Sequence, residues 1–175
     1  MIETKIKQAV RDVADFPKPG IIFKDITPIL KDAALCTEIT DALVQQFSEL
    51  KIDVVAGIES RGFLFGMSLA QALGVPFVPI RKAGKLPYKT IQQSCTLEYG
   101  SAVLELHEDA LEAGQHVLIH DDLLATGGTV VAASKLVQQL GAEVAAFSFI
   151  ISLDFLNGKE RLQQFCSSCF SLAAY

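Results

Sequence analysis

The sequence predicts an α/β domain with a mainly parallel sheet flanked by helices, and three observations carry that reading. Apolar runs at 52–57, 75–81, 116–121 and 144–151 are short, rich in Val and Ile, and suit strands buried on both faces. Stretches of helical period lie between most of them, as parallel strands need crossover connections. Residues able to do chemistry fall where these runs end, which is where such sheets bind ligands.

Residues 3–13 show helical period with mixed charge. Pro17, Pro19 and Gly20 stop that helix, and the chain reads as an extended arm to residue 30. A helix over 33–50 precedes the first buried strand at 52–57, and a helix over 63–73 follows it. A strand at 75–81 runs into a loop over 84–93. Residues 96–106 read as a hairpin with Gly100 and Ser101 as its two-residue turn. After the strand at 116–121 come a helix over 127–140, a strand at 144–151, a short helix at 159–165 and a last strand at 169–173. No repeat, low-complexity tract or linker interrupts this order, so residues 1–175 are expected to form one domain.

With 50% apolar and 20% charged residues, the composition excludes a disordered chain. A net charge of −5 and a sequence pI near 5.2 argue against a nucleic-acid-binding surface. The first eight residues mix charges and do not read as a secretory signal. The most apolar stretch, 144–153, is too short to span a bilayer and contains Ser148 and Ser152. A cytoplasmic protein with neither membrane nor nucleic-acid partner is therefore expected. Cys36 and Cys95 are isolated, whereas Cys166 and Cys169 have the spacing of a redox or zinc half-site. A zinc site wants a second pair or well-spaced histidines, so all four are expected to be reduced structural thiols. His116 and His120 read as a strand start and a packed residue.

The richest segment is Asp121-Asp122-Leu123-Leu124-Ala125-Thr126-Gly127-Gly128-Thr129, after the strand at 116–121 and before a helix. The first N–H groups of a helix lack intrahelical acceptors, and the aligned peptide dipoles favour an anion there. Gly127 and Gly128 let the backbone curl around a terminal phosphate, and Thr126 and Thr129 add hydroxyl donors. Asp121 and Asp122, neighbours on a strand, are expected to point to opposite faces, one free to accept bonds from vicinal sugar hydroxyls. A plain helix cap needs neither two Asp nor two Gly in series. Neither a Walker loop nor a Gly-x-Gly-x-x-Gly fingerprint occurs, which removes support for ATP hydrolysis and dinucleotide binding. Ser60 and Arg61, at another strand-to-helix junction, suit a second anion. Arg81, Lys82, Lys85 and Lys89 form the densest basic patch of an acidic chain.

The segment at 121–129 resembles the signature of the type I phosphoribosyltransferases, and its spelling is most similar to members that act on adenine. The resemblance runs from Phe16 to Tyr175. It implies the type I fold with an N-terminal hood within residues 1–30 and a flexible catalytic loop and hairpin within 84–106. It implies ribose binding by Asp121 and Asp122, and 5-phosphate binding by Ala125, Thr126, Gly127, Gly128 and Thr129. Pyrophosphate binding is expected from Ser60, Arg61, Arg81, Lys82 and Lys85. Ile22, Phe23, Lys24 and Leu123 are expected at the adenine ring. Glu98, within Leu97-Glu98-Tyr99-Gly100, is expected to be the catalytic acid/base at the ring nitrogen N7, with Tyr99 covering the closed loop. The implied reaction is purine salvage: adenine and phosphoribosyl pyrophosphate give AMP and pyrophosphate. Mg²⁺ is expected to ride on the substrate without a direct protein ligand, in a homodimer. Transfer to hypoxanthine, xanthine or orotate is the enzymatic alternative. A ligand-sensing regulator of the same fold is the other, and such proteins generally add a DNA-binding domain for which the short, non-basic N-terminus leaves no room.

Overall fold

The computed structural model describes residues 1–97 and 100–175. Helix α1 (Ile2–Ala9) precedes a small antiparallel hairpin, β1 (Arg11–Ala14) and β2 (Ile22–Asp25). A 3-10 turn (Thr27–Lys31) leads into α2 (Ala33–Phe47), capped by Asp32, whose carboxylate accepts the Leu35 N–H at 3.0 Å. Then follow β3 (Val54–Ile58), α3 (Gly62–Leu73), β4 (Phe77–Lys82), β5 (Thr90–Leu97) and β6 (Gly100–His107). The chain continues through β7 (His116–Leu124), α4 (Gly128–Gln139), β8 (Glu143–Ser152), a 3-10 turn (Asp154–Leu156), α5 (Gly158–Leu162) and β9 (Cys169–Ala174).

The central sheet has seven strands in the order β5-β6-β4-β3-β7-β8-β9. Strands β4, β3, β7, β8 and β9 are parallel, and β6 and β5 extend the sheet antiparallel at one edge. The apolar core lies on both faces. On one, Val54, Ala56, Val117 and Ile119 pack with Val130, Ala133, Leu136 and Val137 of α4. On the other, Val55 and Leu118 meet Ile39, Leu43 and Phe47 of α2 and Phe65 and Leu69 of α3. Each Val, Leu, Ile or Phe among them contributes about 1.5–3 kcal/mol on burial, which is why the central strands read as unbroken apolar runs. Among the described residues no helix is long and apolar enough to cross a membrane.

Several boundaries differ from expectation, each for a local reason. The helix expected over 3–13 ends at Ala9, because Arg11 to Ala14 pair with Ile22 to Asp25. That pairing, and β-branched Val10 and Val13, override the helical period. The loop expected over 84–93 closes early, since Thr90 already pairs with His107. Gly100 and Ser101 are not the hairpin turn; they begin β6, opposite Leu97 and Thr96. The strand expected to stop at Asp121 runs on to Leu124, because β8 offers partners as far as Ser152.

Candidate active site

At the carboxyl ends of β3, β4 and β7 a cleft of about 370 Å³ opens. It is lined by Glu59, Ser60 and Arg61, by Lys82, by residues 121–130 and by Cys95, Ala102 and Leu104 of the hairpin. Thus Ser60, Arg61, Lys82, Asp121, Asp122, Leu123 and all of 125–129 share one concave surface. Two junctions far apart in sequence meet there because β3 and β7 are hydrogen-bonded neighbours.

The loop at 125–129 is held from both sides. Gly127 has φ 79°, a left-handed conformation that favours glycine, and its carbonyl accepts the Val131 N–H at 2.9 Å to start α4. A Cβ on Gly127 would come within 3.1 Å of the Gly158 carbonyl oxygen, so the loop lies directly on the start of α5. Arg161 donates from Nη1 to the Thr126 carbonyl at 3.0 Å. On the opposite side a Cβ on Gly128 would overlap the Thr96 carbonyl oxygen. Gly128 is therefore required by the close approach of β5, whatever occupies the loop. The opening N–H groups of α4 have no acceptor within the helix and can face an anion.

The acidic pair does not diverge as a regular pleat would direct. Asp121 Oδ1 accepts the Asp122 N–H at 2.8 Å and sits 3.0 Å from where a Cβ on Gly62 would stand. Asp122 Oδ2 accepts Arg61 Nε–H at 2.5 Å. Both carboxylates are thus engaged toward the β3–α3 junction. Burial, then the neighbouring Asp122 charge, push the Asp121 carboxyl well above its ordinary value. Gly62 and Gly66 serve packing: the former meets Asp121 and the His120 carbonyl, the latter the rings of Phe77 and His120. His120 is fully buried, with Nδ1 3.0 Å from Ser148 Oγ, and burial lowers its pKa to about 3. His116 starts β7 and is bound to Asp53 at 2.9 Å.

Two predicted cations do not line the cleft. Arg81 Nε donates to Glu59 Oε2 at 3.1 Å and Arg81 Nη1 to the Lys85 carbonyl at 3.3 Å. The Lys85 and Leu86 N–H groups both donate to Glu105 Oε1 at 2.8 Å. Burial alone would raise the carboxyls of Glu59 and Glu105. The Lys82 N–H and Arg81 outweigh it at Glu59, and the Leu86, Gly84 and Lys85 N–H groups at Glu105, leaving both below their ordinary value. Glu59, Glu105 and Arg161 were not singled out by sequence, since a lone charge in an otherwise unremarkable segment carries no local signal. Cys166 Sγ donates to the Ala145 carbonyl at 3.0 Å, and burial pushes the Cys169 thiol up to about 11, as suits unreactive thiols.

The hood residues are split. The Phe23 ring lies 5.2 Å from the Arg61 guanidinium and packs edge-on against Phe16. Ile22 and Lys24 instead line an apolar groove of about 520 Å³ with Gly20, Ile21, Leu153, Phe155, Leu156 and Tyr175. The Lys24 ammonium is turned to Asp12 Oδ1 at 2.6 Å, so its side chain is committed within the hood hairpin. Glu98 and Tyr99 lie outside the described residues. Thr96 of β5 lies against the loop at 125–129.

The comparisons agree with this geometry. Residues 24–173 match the phosphoribosyl transferase domain. A Cytophaga hutchinsonii protein named adenine phosphoribosyltransferase is 51% identical over 175 residues, covering 100% of this chain and 97% of the relative. The crystal structure of adenine phosphoribosyltransferase from Thermoanaerobacter pseudethanolicus superposes with TM-score 0.95 at 47% identity, covering 100% of both chains. That of Saccharomyces cerevisiae, complexed with adenine and an imino-altritol bisphosphate, superposes with TM-score 0.89 at 43% identity over 98% of both. Doubly anchored glycine loop, acidic pair and full-length similarity lead to one conclusion: the chain belongs to the phosphoribosyltransferase family.

Proposed function

We propose that the protein transfers the 5-phosphoribosyl group of phosphoribosyl pyrophosphate to adenine, giving AMP and pyrophosphate. The observation that carries this reading is the single cleft shared by the loop at 125–129, the Asp121–Asp122 pair and Arg61. Its volume of about 370 Å³ is in the range of small-ligand sites. The 5-phosphate is assigned to the N–H groups and hydroxyls of 125–129, and the ribose hydroxyls to Asp121 and Asp122. Holding the phosphate remotely aligns the sugar carbon C1 with the adenine nitrogen N9. The bond from C1 to the pyrophosphate oxygen breaks as the bond to N9 forms, through an oxocarbenium-like state. Arg61 and Lys82, which line the cleft, oppose the charge that builds on the leaving group, and Ser60 adds a hydroxyl. Glu98 is assigned the proton handling at the purine, with Tyr99 covering it.

The base is assigned to the space between the cleft and the apolar groove, with Phe23 and Leu123 nearest the ribose and Ile22 and Leu156 beyond. Mg²⁺ would be carried on the pyrophosphate and ribose oxygens of the substrate, with the hard carboxylate oxygens of Asp121 and Asp122 in the same cleft to meet its water shell. When bound, it supplies charge neutralisation at the pyrophosphate. A homodimer is part of the same proposal, supported by Leu64 and Met67, which leave 45% and 46% of their surface exposed on one face of α3. Incubation with Mg²⁺-phosphoribosyl pyrophosphate and adenine, hypoxanthine, xanthine or orotate in turn tests the assignment. AMP formation with adenine well ahead of the other bases is expected, and preferred turnover of another base would overturn it.

A further inference from the structure

We infer that Tyr175 is a positioning residue for the base, holding the hood through its contact with Lys24; this rests on the base assignment above. The β1–β2 hairpin is a two-stranded sheet separate from the central one. Such a ribbon is marginal alone, so side chains that reach the main body set its height. One is Phe23, against Arg61. Another is Lys24, whose Nζ lies 4.2 Å from the Tyr175 ring centroid while also bound to Asp12, its direct cross-strand partner. Only 15% of the Lys24 side chain is exposed, a setting in which cation–π attraction is stronger than in open water. A second ammonium, that of Lys7, stands 5.4 Å from the same ring.

Tyr175 is itself fixed to the opposite wall of the groove. Its N–H donates to the Ser152 carbonyl at 2.9 Å, and its carbonyl accepts the Asp154 N–H at 3.0 Å. Asp154 opens the 3-10 turn that carries Phe155 and Leu156. One aromatic ring therefore ties the wall bearing Ile22 to the wall bearing Leu156, the two residues that bound the far side of the space assigned to the purine. Among the described residues the buried Tyr175 hydroxyl has no hydrogen-bond partner, so the ring face and not the hydroxyl supplies the tie.

Steady-state kinetics on the full chain, varying adenine and Mg²⁺-phosphoribosyl pyrophosphate separately, tests this with Y175F, Y175L and K24M. K24M and Y175L are expected to raise the adenine KM about tenfold, the scale of one partly buried cation–π contact, with less than a twofold change for phosphoribosyl pyrophosphate. Y175F should restore the wild-type adenine KM. If Y175L fails to fold, K24M still decides. Wild-type adenine KM in K24M, an equal rise for both substrates, or Y175F behaving as Y175L would overturn the inference. A wild-type protein that makes no AMP would instead refute the functional reading.

Discussion

Gly128 is where a single methyl group separates the roles of fold and ligand. A Cβ there would overlap the carbonyl oxygen of Thr96, a backbone atom of β5 held opposite Ser101 in the β5–β6 ladder. A flexible side chain cannot swing away, so Gly128→Ala must push the hairpin off the loop at 125–129. Overpacking of this kind costs about 1–3 kcal/mol. In a domain of this size that corresponds to a fall in Tm of roughly 2–12 °C. The same displacement moves the strand that leads to Glu98, and a shift of about 1 Å at a reacting centre can cost about a hundredfold in rate. Thermal unfolding and kcat/KM with adenine are the assays. The expected result is a folded protein with a lower Tm and at least about a tenfold loss in kcat/KM, equivalent to about 1.4 kcal/mol. Wild-type Tm together with wild-type kcat/KM would refute the packing argument.

Three further outcomes follow from particular residues. Glu98→Gln should lower kcat by about a hundredfold or more while leaving the affinity for phosphoribosyl pyrophosphate near wild type; equal turnover in the two proteins removes Glu98 from the chemistry. Burial lowers the folded-state pKa of His120 from 6.5 to about 3, so the unfolded chain takes up that proton first and stability falls as pH drops below 6.5. Between pH 7 and pH 5 urea unfolding should show the wild type losing about 2 kcal/mol more than His120→Val, and parallel profiles would contradict the assignment. Leu64→Glu with Met67→Glu should yield a monomer by light scattering; an unchanged mass would move the dimer interface off α3.

What the sequence made legible was local. Strand, acidic pair, glycine turn and helix follow one another between His116 and Gln139, so composition and period alone placed the loop at a sheet end. The same holds for Ser60 and Arg61 after β3. What it could not show was long-range. Arg61 and Asp122 are 61 residues apart and meet only because β3 and β7 pair, and nothing in either segment announces the partner. Arg81 sits in a basic run that looks free until Glu59 is seen to hold its guanidinium, and Glu105 fixes that run through the backbone N–H of Lys85. The β1–β2 hairpin was hidden because Ile2, Ile6, Val10 and Val13 keep a helical period that pairing with β2 overrides. The resemblance implies Lys24 at the adenine ring, whereas its side chain is engaged by Asp12 and Tyr175.

The most direct measurement is a crystal structure of the protein with AMP. The phosphate is expected within hydrogen-bonding distance of N–H groups in 126–129, with the ribose hydroxyls on Asp121 or Asp122 and the purine beside Phe23. A nucleotide bound with its phosphate anywhere else on the molecule would contradict the account at its root.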